Sequence, residues 1–206
     1  AVASLYERNG LTEILRKTCQ DVFIPITVGG AIRTVEDGRR LLAAGADKLA
    51  INSAAILQPN LINKLSKVFG KQCVIISIQV CRRADLHWDV MIESGREKTS
   101  WELIDWINEC QERGAGEIFI TSVDRDGTGN GPDHDLLEHI ASFVSVPLVL
   151  GGGFSSSREM VKVFNNHNNL SGVSIGWGLH HKKIDILSSK YEFEKCKLLT
   201  RTINKD

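Results

Sequence analysis

The feature that most restricts the fold of this chain is a segment used twice. Ile24-Pro25-Ile26-Thr27-Val28-Gly29-Gly30 is matched by Val146-Pro147-Leu148-Val149-Leu150-Gly151-Gly152. Each copy is an apolar run that enters a glycine pair. A helix-like stretch follows each one, and then a second apolar run, 49–52 in the first case and 173–176 in the second. Self-similarity at an offset of roughly 120 residues is the mark of a duplicated architecture. A short β-branched run bounded by glycines reads as a strand buried on both faces, the kind that fills parallel sheets. Parallel strands in one sheet need right-handed crossover helices, so the chain must alternate strand and helix.

The rest of the chain does alternate. Leu11, Ile14, Leu15 and Thr18 fall on one side of a helix around 13–19, and residues 23–28 form the first strand. Thr34 caps a helix through Ala44, with Glu36 and Asp37 in the first turn where the helix dipole favours negative charge, and Gly45 closes it. A strand over 47–52 precedes a helix over 59–69, with Pro59 tolerated in its first turn. The next strand covers 73–79, and 88–92 belongs to a small inserted hairpin. Thr99 or Ser100 then opens a helix to Arg113, and Gly114 and Gly116 break it before the strand that starts at Glu117. Residues 133–143 are helical, 146–150 a strand, 155–164 a helix and 172–176 a last strand, with a helical tail from Lys183. About six strands are too few to close an eight-stranded barrel. Together with the duplication they predict an incomplete (β/α)8 TIM barrel, about 250 residues when complete. The expectation is one α/β domain over 1–206, with half-barrel repeats at about 23–120 and 121–206 and the first βαβ portion missing. Ala1-Val2-Ala3-Ser4-Leu5, without an initiator Met, reads like the end of a strand already in progress and suggests an amino-terminal truncation.

Composition narrows the function. The 206 residues are 42% apolar and 24% charged with a formal net charge of +0, which gives no reason to expect nucleic acid or an anionic membrane as partner. No apolar run approaches the roughly 20 residues of a membrane span, and no signal peptide opens the sequence, so the expected location is the cytoplasm. Five scattered cysteines (Cys19, Cys73, Cys81, Cys110, Cys196) form no Cys-x-x-Cys pair and read as reduced thiols. His180-His181 reads as a solvated helix start, because no ligand spacing supports a metal. Neither a metal nor a cofactor is expected.

In such a barrel, chemistry belongs at the carboxyl ends of the strands. Those ends collect Gly29-Gly30, Asn52-Ser53, Gln79, the run Asp124-Arg125-Asp126-Gly127, Gly151-Gly152-Gly153 and Gly176. Glycines there let backbone N–H groups approach an anion, and helix amino termini that follow favour phosphate. A single Gly-Gly is only a turn. Two in symmetric positions predict two phosphate sites facing each other. At the opposite ends, Lys48 and Glu117 carry no functional weight from position alone.

Four segments taken together resemble a known family. Ile24-Pro25-x-Thr27-Val28-Gly29-Gly30, Gly45-Ala46-Asp47-Lys48, Arg113-Gly114-Ala115-Gly116-Glu117-Ile118 and Thr121-Ser122-Val123-Asp124-Arg125-Asp126-Gly127-Thr128 resemble the cyclase subunit of imidazole glycerol phosphate synthase. The likeness runs over about 23–186. It implies a (β/α)8 barrel of histidine biosynthesis that receives ammonia from a glutaminase partner. The implied reaction converts a ribulosyl aminoimidazole nucleotide with two phosphates into imidazole glycerol phosphate and an aminoimidazole carboxamide nucleotide. By resemblance, Gly30, Asn52 and Ser53 hold one phosphate, while Asp126, Gly127, Gly152, Gly153 and Gly176 surround the other. Asp47 matches a residue facing the glutaminase, and Lys48 and Glu117 match a charged gate for ammonia.

The chain also departs from that pattern. The family's acid/base pair is one Asp on the first strand and one at the position occupied here by Gln79. An amide has no titratable proton near pH 7 and can only hydrogen-bond, so Asp124 and Asp126 are the remaining carboxylates for chemistry. Ala31 replaces a third glycine, and Trp177 stands where the family tends to have a small hydroxyl residue near a phosphate. Two alternatives therefore stay open beside the cyclase. One is an amidotransferase-linked paralogue acting on another substrate, such as a surface sugar. The other is an inactive barrel that binds phosphate or a partner. A sibling isomerase of the pathway shares the two-phosphate barrel but lacks the run Asp124-Arg125-Asp126-Gly127.

Overall fold

The computed structural model describes residues 8–30 and 32–201. The reading of residues 1–5 as the end of a strand lies outside the described residues, as does position 31. In order, the elements are α1 (Arg8–Asp21), β1 (Thr27–Gly29), α2 (Val35–Ala43), β2 (Lys48–Ile51), α3 (Ser53–Leu57) and α4 (Asn60–Phe69). Strand β3 (Val74–Arg82), the hairpin β4 (Trp88–Ile92) and β5 (Glu97–Glu102), α5 (Leu103–Glu112) and β6 (Glu117–Ser122) make up the middle. The last part holds α6 (His134–Ile140), β7 (Leu148–Gly151), α7 (Ser157–Asn166), β8 (Leu170–Ser174), α8 (Trp177–His180) and α9 (Ile186–Lys195).

The sheet order is β1-β2-β3-β6-β7-β8, every neighbour parallel, with the antiparallel pair β4 and β5 branching from the far end of β3. Strand alternation sorts the side chains. Leu49, Ile51, Val74, Ile76, Ile78, Ile118, Ile120, Leu148 and Leu150 are at most 3% exposed and form the layer under the helices. Each side chain of this size, fully buried, contributes about 1.5–3 kcal/mol. The intervening residues Ala50, Ile75, Ser77, Gln79, Glu117, Phe119 and Val149 line a cavity on the other face. Thr27 of β1 and Ser174 of β8 line that same cavity although they lie at opposite ends of the strand order, so the sheet curls. It does not close: among the described residues β1 pairs only with β2, and β8 only with β7. The architecture is an incomplete, open (β/α)8-type barrel.

Several expected boundaries move for local reasons. The strand expected over 23–28 forms only as Thr27–Gly29, and Phe23 and Ile24 are 85% and 60% exposed. Pro25 has no N–H, and the N–H of Ile26 goes to Asp47 Oδ2 (2.7 Å) instead of a strand partner. The helix expected from Thr99 or Ser100 starts at Leu103, because both residues belong to β5 of the hairpin. The short helices α3 and α8 were absent from the sequence reading. No helix among the described residues is long and apolar enough to cross a membrane.

Candidate active site at the carboxyl ends of the strands

Two cavities open where the parallel strands end. The larger, about 760 Å³, is lined by Gly29, Gly30, Arg33, Asn52, Ser53, Glu93 and Ser94 at its mouth and by Glu117 deeper in. The smaller, about 240 Å³, is lined by Thr121, Asp126, Gly151 to Gly153, Gly176 and Trp177. They share Ser77, Gln79, Phe119 and Ser174 as common wall. The two glycine pairs thus lie at the two ends of one continuous groove, with Gln79 between them.

The glycine cradles are backbone features. Gly30 and Gly152 have φ of 97° and 99°, and Gly153 has 84°. A Cβ on Gly153 would stand 2.1 Å from Gly131 O, so the loop after β6 can lie on this turn only if position 153 is glycine. Each cradle leads into a helix with a capping box: Thr34 with Asp37 on α2, Ser156 with Glu159 on α7. The carboxylates of those boxes already hold nearby donors. Asp37 Oδ2 accepts the N–H groups of Arg33 (3.1 Å) and Thr34 (3.0 Å), and Glu159 Oε2 those of Ser155 (2.8 Å) and Ser156 (3.1 Å). A ligand anion must therefore find its donors elsewhere.

At the common wall, Asn52 Nδ2 donates to Gln79 Oε1 (3.1 Å) and approaches the Met91 carbonyl (3.5 Å). These two acceptors fix the orientation of the Asn52 amide, and its buried Oδ1 has no partner. With Gln79 Oε1 committed to Asn52, the NH2 group of Gln79 is the end left for the groove, a hydrogen-bond donor rather than an acid or base.

The acidic run after β6 divides. Asp126 lines the smaller cavity, with its N–H on Ser122 O (2.9 Å), and Gly127 at φ 72° turns the chain beside it. Asp124 lines neither cavity. Its carboxylate accepts the Arg82 N–H (2.6 Å) and the Cys81 thiol (3.3 Å) at the end of β3. Burial pushes the Cys81 thiol pKa up, and the hydrogen bond to Asp124 and that residue's charge add to the rise. Trp177 borders the smaller cavity with its ring stacked on His181 (4.3 Å between centroids, 20° between planes) and laid against Gly129. At the opposite ends of the strands, Lys48 and Glu117 form an ion pair, with side chains 36% and 15% exposed. Asp47, exposed beside it, holds the Ile26 N–H.

Arg33, Glu93, Ser94 and the inward-facing Ser77 and Ser174 border the larger cavity and were not singled out from sequence. Period-2 alternation along β3 and β8 marks the two serines. Nothing in the sequence brings the tip of the β4–β5 hairpin over the strand ends.

Comparison with known proteins meets this geometry. A family model described as histidine biosynthesis protein matches residues 2–185. The imidazole glycerol phosphate synthase subunit HisF of Legionella pneumophila is 48% identical over 158 residues, 77% of this chain and 74% of the relative. The subunit of the same name from Streptococcus sanguinis is 40% identical over 195 residues, covering 95% and 77%. That from Lactococcus lactis subsp. lactis is 38% identical over 205 residues, covering 99% and 79%. The chain belongs to the HisF family. Gln79 lines both cavities, between the end bearing Gly30, Asn52 and Ser53 and the end bearing Asp126 and Gly153.

Proposed function

We propose that the chain acts as an ammonia-dependent cyclase/lyase of the imidazole glycerol phosphate synthase type. It would form imidazole glycerol phosphate and aminoimidazole carboxamide ribonucleotide from a ribulosyl aminoimidazole bisphosphate. The observation that carries this reading is the pair of cavities sharing Ser77, Gln79, Phe119 and Ser174, with a glycine cradle at each outer end. A long substrate with a phosphate at each terminus fits a groove of that form. Gly30, Asn52 and Ser53 take one phosphate; Asp126, Gly127, Gly152, Gly153 and Gly176 surround the other. The reacting centre then lies over Gln79. The Gln79 amide orients substrate by donating a hydrogen bond, and proton transfer falls to Asp126, the carboxylate in the groove. Asp124 can join only by leaving the Arg82 N–H. A glutaminase docks at the face bearing Asp47, and ammonia enters past the Lys48–Glu117 pair.

A second reading is favoured by one observation. Gln79 is locked to Asn52 as an acceptor, so the common wall offers a donor where an ionisable group would serve the cyclase. That arrangement suits a paralogue of the same scaffold that passes ammonia to another substrate, such as a surface sugar. The experiment is to supply the ribulosyl substrate with ammonium salt and follow its loss for wild type and Gln79→Asp. Turnover by wild type supports the cyclase. Activity gained only in Gln79→Asp sinks it and supports the paralogue, and binding of substrate without turnover by either protein leaves an inactive phosphate-binding barrel.

A further inference from the structure

The β4–β5 hairpin takes no part in the reading above, yet its tip forms part of the wall of the larger cavity. Glu93, Ser94 and Gly95 make the turn with φ of 50°, 63° and 79°. Two successive non-glycine residues in the left-handed region persist only where the surroundings enforce them. Here the enforcement is visible. Ser53 Oγ accepts the Glu93 N–H (3.2 Å), and the Glu93 carbonyl accepts from Arg96 Nε (2.8 Å). Val123 packs so closely on Gly95 that a Cβ there would lie 2.9 Å from its methyl group. The tip is thus pinned to the Asn52–Ser53 corner and carries a carboxylate to the cavity mouth.

Among the described residues, Arg33, three residues after Gly30, is the only cation lining the same cavity. Among the described residues neither Arg33 nor Glu93 has an ion-pair partner for its side chain, whereas Glu117, the other lining carboxylate, is matched by Lys48. The Arg33 and Thr34 N–H groups are taken by Asp37, which leaves the Arg33 guanidinium as the group this residue can offer an anion. The mouth therefore presents one uncompensated positive group and one uncompensated negative group.

We infer that Glu93 is a specificity-determining residue. Arg33 takes an anionic group, and Glu93 takes a hydrogen-bond donor, hydroxyl or ammonium, carried beside that anion on the same ligand. This rests on the reading that this end of the groove binds an anionic end of substrate. A bare phosphate meets Glu93 as a like charge, while a phosphate ester with a neighbouring donor satisfies both residues. The inference concerns which phosphate-bearing groups are accepted, and it holds whichever chemistry follows.

The test is titration calorimetry of the whole chain at low salt with inorganic phosphate, glycerol 3-phosphate and ethanolamine phosphate. Both side chains are exposed, so Glu93→Gln and Arg33→Gln leave the fold intact, checked by unchanged circular dichroism melting curves. Wild type is expected to prefer at least one of the two esters over inorganic phosphate by about two- to fivefold, the range for exposed charge pairs. Glu93→Gln is expected to erase that ratio and tighten inorganic phosphate, and Arg33→Gln to weaken all three. Preference for glycerol 3-phosphate identifies a hydroxyl as the donor, and preference for ethanolamine phosphate an ammonium. An unchanged ratio in Glu93→Gln, no preference in wild type, or no binding of any probe overturns the inference. Loss of ribulosyl turnover with the preference intact sinks the cyclase reading alone; turnover without the preference sinks the role of Glu93 alone.

Discussion

Asp133→Ala is expected to destabilise the chain by about 2.5–8 kcal/mol, from one lost helix cap and two orphaned donors. Asp133 is 2% exposed and sits where three elements meet. Its Oδ1 accepts the Leu136 N–H (3.1 Å) and caps α6; its Oδ2 accepts Trp88 Nε1–H (3.1 Å) from β4 and the Ser122 hydroxyl (3.0 Å) from β6. Loss of an N-cap costs about 0.5–2 kcal/mol. Each donor left buried without a partner costs about 1–3 kcal/mol, and both Trp88 (2%) and Ser122 (0%) are buried. Asp133→Asn separates these contributions. Its carbonyl can keep the cap, and the Ser122 hydroxyl can turn round to accept from the new NH2 group. The indole can only donate, so one orphan remains and the cost is about 1–3 kcal/mol. A domain stable by about 5–15 kcal/mol survives the second change more readily than the first. Urea unfolding followed by far-ultraviolet circular dichroism and tryptophan fluorescence reads both, as a lower midpoint at unchanged slope. The reasoning is refuted if Asp133→Ala lies within about 1 kcal/mol of wild type, or if Asn costs more than Ala.

Gly153→Ala is expected to cost about 1–3 kcal/mol, the scale of one strained backbone position, and to abolish ligand binding at the smaller cavity; equal phosphate affinity in a folded variant would contradict this. His167 is buried, and burial together with the neighbouring His134 lowers its pKa from the ordinary 6.5. A histidine that prefers to be neutral when folded carries no penalty above the unfolded value and an increasing one as pH falls toward the folded value. Stability is therefore expected to decline on acidification from about pH 7.5 to below 6.5, and His167→Gln to flatten that decline; a melting temperature with the same pH slope in the variant would exclude the assignment. The edges at β1 and β8, unpaired among the described residues, with Phe23 and Ile24 exposed beside β1, are expected to make the 206-residue chain oligomeric or poorly soluble when expressed alone. A sharp monomer peak in size exclusion with cooperative melting would refute that.

The parallel sheet was legible because its strands are short apolar runs ended by glycine, and because the strand–Gly-Gly–helix unit occurs twice. Thr34 follows the first glycine pair as a helix cap, a signal confined to a few adjacent residues, and Ser156 takes the same place after the second. What sequence could not supply was anything decided across the fold. β5 is largely exposed and alternating, and Thr99 and Ser100 within it imitate caps, so the sequence places the start of α5 at one of those two residues instead of Leu103. Asp124 and Asp126 look equivalent in a strand–turn segment, yet one is drawn to the Arg82 N–H and the other borders the groove. Arg33 and Glu93 are sixty positions apart and meet at the cavity only because β3 is long enough to carry the hairpin over the strand ends. The internal bonds of the capping carboxylates were also out of reach: Asp37 and Glu159 take the N–H groups of the residues just before α2 and α7.

Lys48 and Glu117 belong to β2 and β6, which are separated by β3. In a flat sheet two strands one apart from adjacency lie roughly 10 Å from each other. The two long side chains together reach across that distance, so the ion pair ties β2 to β6 over the intervening β3. It joins two strands that share no backbone hydrogen bond, and it is the link that a neutral residue at position 48 removes. A spin-label distance between Thr27 and Ser174, measured with and without the Lys48 charge, would read what that tie does to the spread of the strand ends.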